Sequence, residues 1–254
     1  MAWLAYTEDC LNAAAGSWPA SGAWALGQPQ VQAARSGRRP TTIRLFKNGF
    51  VEHVLAKAHP LTPILWFGPL IAYGLYRGVH RFGLLGELGL FVMGWLIWTL
   101  FEYVMHRFFF HLRADDSAKS RLRAFLRHGY HHEFPNDKLR LVAPPLMSWP
   151  LGAAIIAIYL WLLGPATAFA LFAGTASGYI GYDWIHYYVH HFRPRTRLGR
   201  WLKGYHMHHH FDARLPNARF GVSTPLWDWV FGTYAGIAGR RGGFDVAPVG
   251  SRSR

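Results

Sequence analysis

Twelve of the fifteen histidines in this 254-residue chain lie in four short segments, and ten of these twelve are candidate metal ligands. An imidazole loses favourable solvation when it is buried, and protonated neighbours repel one another. A divalent metal ion, by contrast, binds the neutral nitrogen lone pair directly. The clusters therefore predict a multinuclear metal site, and its expected ligands are His106, His111, His128, His131, His132, His186, His190, His206, His209 and His210.

Helical spacing predicts which histidines share a metal. Residues four apart lie about 40° apart around a helix axis, whereas neighbours lie about 100° apart. Three pairs have the same-face spacing: His128 with His132, His186 with His190, and His206 with His210. His131 and His209 point elsewhere, so we expect two metals with helices that bridge between them. His106 and His111 are five apart, or about 140° on an ideal helix, so the chain must unwind there.

A balanced partition places five histidines on each metal. The first set is His106, His111, His128, His132 and His209, and the second is His131, His186, His190, His206 and His210. Cys10 is the single cysteine, so a cysteine-rich zinc or iron-sulfur site is excluded. Five nitrogens leave a sixth octahedral position, and redox chemistry favours iron over zinc. We expect two iron ions, with zinc replacing them on overexpression.

The composition favours a membrane protein. Hydrophobic residues make up 51% of the chain and aromatic residues 17%, and the formal net charge is +14. Lysine and arginine are concentrated in 35–57, in 107–140 and from 193 onward, outside the apolar segments. This distribution is typical of the positive-inside bias of membrane proteins, and we expect no nucleic-acid partner.

Four apolar segments have the length needed to span a bilayer. They run over 61–79, 84–105, 146–163 and 166–189, with Gly83 between the first two and Gly164-Pro165 between the last two. Four crossings put both termini and the 107–145 loop on one side, which the basic residues predict to be cytoplasmic. The alternative, a soluble all-helical protein, is disfavoured because the last two segments are long, nearly uncharged and separated only by Gly-Pro.

Domain boundaries follow from these patterns. Residues 1–44 are predicted to be a mobile or peripheral arm, 45–235 a membrane domain, and 236–254 a flexible basic tail. Within the domain, residues 47–59 predict a short amphipathic helix on the membrane surface.

Several carboxylates lie near the histidines and are predicted to orient them by accepting the second imidazole N–H. A helix cap or a surface salt bridge is an equal alternative for each. Asp183 stands apart because a carboxylate near the end of an apolar span needs a partner. The candidates are Glu102, Asp137, Asp183 and Asp228.

At these residues the chain resembles the fatty acid 2-hydroxylase branch of the fatty acid hydroxylase and sterol desaturase superfamily. The family pattern HxxxxH, HxxHH, HxxxHH and HxxHH begins here at His106, His128, His186 and His206. Three further segments resemble that branch more specifically: Glu102-Tyr103, the run from Pro135 to Pro145, and Phe220-Gly-Val-Ser223 with Trp227-Asp228. The whole resemblance covers roughly residues 45–235.

This resemblance implies a four-helix transmembrane base, a cytosolic helical cap and a dimetal centre. The implied reaction uses dioxygen and electrons to hydroxylate the second carbon of a fatty acyl chain, which in eukaryotic relatives belongs to a ceramide or its precursor. No His-Pro-Gly-Gly haem motif occurs in the first 60 residues. We therefore expect a separate electron donor, such as a b-type cytochrome, a ferredoxin or a similar reductase system. The high alanine, arginine and glycine content is typical of a GC-rich bacterium, so we expect the bacterial cytoplasmic membrane.

An apolar tunnel between the spans is expected to hold the lipid tail. Tyr130, Lys138 and Arg140 are the candidates for anchoring its polar head. Two alternatives stay open. A sterol or carotenoid hydroxylase or desaturase would use the same metal chemistry, whereas a metal-storage or metal-sensing protein would hold exchangeable metal without consuming oxygen.

Overall fold

The computed structural model describes residues 5–16, 41–212 and 218–234. The regular secondary structure in these ranges is helical, apart from one β-bridge between Tyr6 and Phe46. The predicted all-helical class is confirmed. Seven α-helices and three short π-helices occur in the described ranges. In chain order they are α1 (Glu8–Gly16), π1 (Val51–Leu55), α2 (Thr62–Val104), π2 (Met105–Phe110), α3 (Ala118–Ala124), π3 (Phe125–Gly129), α4 (Tyr130–Glu133), α5 (Pro145–His191), α6 (Arg197–Phe211) and α7 (Leu226–Val230).

Helix α2 doubles back on itself at Gly83. This residue has φ 72°, a left-handed conformation that glycine adopts at little cost. A side chain at Gly78 would collide with the carboxylate of Glu87. Residues nine apart in a straight helix would be separated by about 13 Å, so α2 is a helical hairpin.

Helix α5 reverses in the same way at Gly164, where φ is 71° and Pro165 follows. The hydroxyl oxygens of Tyr159 and Thr175 are 3.1 Å apart. In a straight helix sixteen residues would separate them by about 24 Å. Both reversals therefore fall at the glycines where the sequence predicts turns.

The two hairpins pack closely through small residues. A Cβ atom at Gly74 would collide with the backbone carbonyl of Phe169, and one at Gly94 with that of Leu171. Aromatic rings fill the remaining space, with Phe67 lying edge-to-face on Tyr179 at a centroid distance of 5.4 Å. Close packing of backbones gives a rigid base under the histidine segments.

The outer face of this bundle is apolar and exposed. Leu65 is 73% exposed, and Leu85 and Trp161 are each 83% exposed. Thr62–Phe110 and Pro145–His191 are long and apolar enough to cross a membrane, yet only 22% of the most apolar window of each is buried. A soluble protein would bury such helices, because exposed apolar patches of this size are rare in soluble monomers. The chain is therefore a membrane protein.

The amino-terminal segments pack beside the histidine-bearing helices. Cys10 of α1 is buried in a cluster with Phe46, Val51 and Phe125. In the predicted surface helix 47–59 the helical part is π1, whose Val51 faces this cluster, whereas Val54 is half exposed. Most of the predicted arm and all of the tail 236–254 lie outside the described residues, so those boundaries stay predictions.

Candidate metal centre

The structure brings the ten histidines into two groups of five. Within each group the candidate ligand nitrogens all lie within 4.8 Å of one another. The two groups have the same members as the two sets derived from spacing, and their role as ligands stays a prediction. Group A is His106, His111, His128, His132 and His209, and group B is His131, His186, His190, His206 and His210.

Group B is built on regular helices. His186 and His190 lie one turn apart on α5, His206 and His210 lie one turn apart on α6, and His131 comes from α4. A four-residue separation places both rings of each pair on one helix face. Helices α5 and α6 are therefore sufficient to aim four of the five imidazoles at one point.

The Nε2 atoms of group B are in direct contact. The His131 Nε2 lies 3.0 Å from that of His186 and 2.9 Å from that of His210. Similarly, the His206 Nε2 lies 2.9 Å from that of His190 and 3.0 Å from that of His210. A neutral imidazole carries one N–H, so these contacts cannot all be hydrogen bonds.

A metal ion at the centre of the group fits these distances. Ligand nitrogens at 2.0–2.1 Å from an ion are about 2.9 Å apart when they subtend a right angle, and roughly 3.4 Å apart at the tetrahedral angle. The observed separations are closer to the right-angled value than to the tetrahedral value.

Group A depends on a widened helix. In π2 the backbone N–H of His111 donates to the carbonyl of His106 at 3.2 Å, an i→i+5 bond that defines a π-helix. The widened turn places residues five apart above each other, and the His106 and His111 ring centroids are 5.0 Å apart. The sequence predicts unwinding here, whereas the structure brings the two rings together by enlarging the turn.

Backbone carbonyls orient two group A rings. The His106 Nδ1 lies 2.5 Å from the carbonyl oxygen of Phe220, and its Nε2 lies 3.0 Å from that of His128. The His209 Nδ1 lies 3.0 Å from the carbonyl oxygen of Ala218, and its buried Nε2 has no hydrogen-bond partner among the described residues. An Nδ1–H that donates to a carbonyl leaves the Nε2 lone pair free for a metal.

Burial keeps four of these imidazoles neutral. It lowers the pKa of His128, His131, His206 and His210 well below the ordinary value, and the neighbouring imidazoles lower it further. Neutral imidazole is the form that binds metal. The centre is therefore prepared for metal at neutral pH.

Two of the predicted carboxylates bind the backbone segment that contacts the imidazoles, and do not bind the imidazoles themselves. Asp228 accepts hydrogen bonds from the backbone N–H groups of Phe220 and Gly221 at 2.9 and 2.7 Å. Glu102 accepts from those of Val222 and Ser223 at 2.6 and 2.9 Å. These contacts differ from the predicted carboxylate–imidazole bonds, because carbonyls of the 218–223 segment already occupy that position. The sequence contains no signal for a backbone acceptor.

The other two predicted carboxylates also bind groups other than imidazole. Asp137 accepts from the hydroxyl of Tyr130 at 2.5 Å and lies 3.1 Å from the guanidinium of Arg140. Asp183 is 1% exposed and accepts from the backbone N–H of Ala143 at 3.4 Å. Asp183 lines the cavity described below, as His186 does.

The predicted head-group residues have different environments. Arg140 forms a buried ion pair with Glu52, a residue that sequence patterns do not single out. Tyr130 and Arg140 line the cavity wall, but their polar atoms face this network. Lys138 is exposed and does not line the cavity. Contact of these three residues with a lipid head group stays a prediction.

A cavity of about 820 Å³ lies between the two helical hairpins and reaches the metal centre. His128, His131 and His186 form part of its wall, and residues such as Phe46 and Arg127 line it on the side of the amino-terminal segments. Most of the wall is apolar. Cavities of this size and character are typical of small-molecule sites. The centre is therefore open to an apolar ligand from inside the bundle.

An apolar helical bundle, ten convergent neutral histidines and an apolar cavity together define a histidine-rich integral membrane oxidoreductase. The sequence profile of the fatty acid hydroxylase family matches residues 91–233. The chain belongs to this family.

Individual relatives support the same assignment. The dihydroceramide fatty acyl 2-hydroxylase FAH1 of Arabidopsis thaliana is 39% identical over 75% of this chain and 79% of its own length. The fatty acid 2-hydroxylase of Rattus norvegicus is 36% identical over 75% of this chain, and the ceramide very long chain fatty acid hydroxylase SCS7 of Saccharomyces cerevisiae is 38% identical over 76%. The chain spans only about half the length of these two, 56% and 49% respectively.

A solved structure gives the same result. The structure of full-length scs7p, with only the hydroxylase domain visible, superposes with a TM-score of 0.67 at 37% identity. The match covers 74% of this chain and 70% of that chain. The predicted resemblance to the fatty acid 2-hydroxylase branch is confirmed.

Proposed function

We propose that this protein hydroxylates carbon 2 of a fatty acyl chain. The observation that carries the proposal is the apolar cavity, whose wall includes histidines of both groups. An acyl chain in this cavity presents a methylene group to the centre. The relatives are named fatty acyl 2-hydroxylases and ceramide hydroxylases, which supports carbon 2 as the position of the new hydroxyl group.

The reaction has a defined balance. One C–H bond of carbon 2 is broken and one C–O bond is formed with an oxygen atom of dioxygen. The other oxygen atom leaves as water after taking up two electrons and two protons. The electrons are proposed to come from a separate b-type cytochrome, a ferredoxin or a similar reductase.

Groups A and B are proposed to hold one iron ion each, and zinc is proposed to replace iron on overexpression. The Nε2 separations of 2.9–3.0 Å in group B support this assignment. Two irons supply the oxidising power to cleave an unactivated C–H bond, which no amino-acid side chain has.

The protein's own contribution is to position the substrate and protect the site. The walls of the cavity hold the acyl tail, and Phe67, Trp98 and Tyr179 exclude water from it. The carbonyls of Phe220 and Ala218 keep the imidazoles of His106 and His209 in one tautomer. An ordered site of this kind lowers the entropic part of the barrier.

We further propose a four-span topology with a cytoplasmic active site. Gly83 divides α2 into two limbs of 21 residues, each about 31 Å long, which matches the hydrocarbon thickness of a bilayer. His106 and His111 come directly after the end of α2, and His186 and His190 lie in the last turns of α5. Both positions are at the ends of the hairpins opposite Gly83 and Gly164. Basic residues are concentrated in the same segments, which is the reason for proposing a cytoplasmic cap. A bacterial inner membrane is proposed as the location. The 91–233 family match falls inside the proposed 45–235 domain.

The proposal is tested by expression in a host that makes no 2-hydroxy fatty acids. Cells are supplied with ¹⁸O-labelled dioxygen, and acid-released lipids are analysed by mass spectrometry. We expect 2-hydroxy fatty acids with one labelled oxygen. The matched control is the double variant His128→Ala, His132→Ala, which removes two group A rings and is expected to make none.

Two results would contradict the proposal. Labelled sterols or carotenoids without labelled fatty acids would establish the alternative substrate class. Iron-loaded protein that binds and exchanges metal but consumes no oxygen with a reductant would establish a storage or sensing role.

A further inference from the structure

The cavity stops at a defined level inside the bundle. Along the second limb of α5 its wall runs from His186 toward Gly164 and ends at Phe172. On the first limb the last lining residue is Ile155. These two residues are eight and nine positions from Gly164, so both limbs end the cavity at the same depth.

Close backbone contacts explain why the cavity ends there. In α2 the cavity is lined by Phe67 and Trp98, and on the turn side of these residues the hairpins touch directly. Gly74 lies against the backbone of Phe169, and Gly94 against that of Leu171, with no space for even a Cβ atom. An acyl chain cannot pass between backbones packed this closely.

Phe172 closes the remaining space. Its side chain is 2% exposed, and its ring packs on that of Phe67 at a centroid distance of 6.3 Å. The fourteen residues from Phe172 to His186 span about 21 Å of regular helix. A fully extended chain of tetrahedral carbons advances roughly 1.25 Å per atom, so about 17 carbons fit this depth.

We propose that Phe172 is the floor of the acyl pocket and restricts the substrate to acyl chains of roughly 18 carbons. This inference rests on the proposed function, because carbon 2 must lie at the level of the histidines. The yeast relative carries a very long chain hydroxylase name, so the inference separates this chain from that relative by substrate length.

Two substitutions move the floor in opposite directions. Phe172→Ala removes the ring that fills the space above the backbone contacts at Gly74 and Gly94, and is expected to raise the preferred chain length by about two to four carbons. Ala176 lines the cavity one turn nearer the histidines, so Ala176→Phe is expected to lower it by about the same amount. The matched control is Phe169→Ala on the same helix, which removes a ring that packs on Tyr73 outside the cavity.

The first measurement is the chain-length distribution of 2-hydroxy products from an equimolar series of saturated fatty acids. The second is the thermal stabilisation of the detergent-solubilised protein by each acid of the series, which needs no turnover. Both optima are expected to shift upward in Phe172→Ala and to stay in place in Phe169→Ala. If Ala176→Phe does not fold, Phe172→Ala alone decides.

The outcomes separate the two proposals. An unchanged product profile and unchanged stabilisation in Phe172→Ala would overturn the floor while leaving 2-hydroxylation intact. Stabilisation that follows chain length as expected, in an iron-loaded wild type that makes no 2-hydroxy acid with a reductant present, would uphold the floor and overturn the proposed function.

Discussion

The two histidine groups solve the same positioning problem by different means. Group B takes four of its rings from i,i+4 pairs on two regular helices. Group A takes its rings from π2, from the residue that caps it, from π3, from α4 and from α6. A regular helix fixes the direction of a side chain locally, whereas a widened helix and a loop acceptor depend on distant contacts.

The distant contacts of group A converge on one segment. The carbonyls of Ala218 and Phe220 contact His209 and His106, and the same segment is held by Asp228. Among the described residues, no ring of group B is hydrogen-bonded to the carbonyls of Ala218 and Phe220. We therefore expect group A to respond to changes outside the centre and group B to respond mainly to loss of its own rings.

The largest effect is expected from His131→Ala. The His131 Nε2 contacts two other group B nitrogens, so its removal opens the middle of the group. We expect bound metal to fall from two ions to one per chain. Product formation should fall by at least about 100-fold, because loss of outer-shell partners alone costs 10–100-fold.

The control for this variant is His80→Ala, at an exposed position outside both groups. Metal content is measured by elemental analysis of iron-loaded protein. Two ions per chain in His131→Ala would show that the contacts among the group B nitrogens do not report metal ligation.

A smaller and selective effect is expected from Asp228→Ala. The change leaves the buried N–H groups of Phe220 and Gly221 without their acceptor, at a cost of about 1–3 kcal/mol for each. We expect group A to release metal to a chelator 10–100-fold faster, with group B unchanged.

The two release phases are assigned by combining Asp228→Ala with His131→Ala, which retains only group A. Asp228→Asn keeps one acceptor oxygen and should fall between the wild type and Asp228→Ala. Equal acceleration of both phases would argue against a separate support for group A.

Both groups are expected to make stability depend on pH. Burial lowers the pKa of His128 and His206 in the folded protein, whereas in the unfolded chain it is about 6.5. The unfolded state therefore binds more protons below that pH, and stability falls as the pH drops below about 6.5. Each such histidine contributes up to about 1.4 kcal/mol per pH unit.

The measurement is the unfolding free energy of metal-free protein between neutral and mildly acidic pH. His206→Gln is expected to flatten the slope by one histidine, and His53→Gln, at an exposed position, should not change it. A steeper slope in His206→Gln would contradict a neutral buried ring.

The smallest effect is expected from Phe110→Leu. Its ring stacks on that of His128 at 5.2 Å with an angle of 12° between the planes. Loss of one aromatic contact costs about 0.5–1.5 kcal/mol, so metal affinity at group A should weaken several-fold. Phe108→Leu, at a 59% exposed position, is the matched control. Equal metal affinity in the two variants would show that the Phe110–His128 stack does not stabilise group A.

Helical periodicity was sufficient to predict the group B pairs because α5 and α6 are regular where they carry histidines. The π-helical form of the 105–110 segment was not predictable, because a π-turn is recognised by its hydrogen bonds rather than by residue type. Glu52 was missed for a similar reason: a single acidic residue in a short apolar segment looks exposed until the fold pairs it with Arg140.

The amino-acid sequence alone determined the class of this protein. Histidine spacing, apolar segment length and the glycines at the two reversals are local properties, and local geometry converts them directly into helices, turns and ligand pairs. The tertiary structure decided which atoms support the imidazoles and where the acyl cavity ends. Both depend on backbone groups brought together from distant segments, as when the carbonyl of Phe220 meets His106 and the backbone of Phe169 meets Gly74. Backbone atoms are the same in every residue, so no sequence pattern marks them.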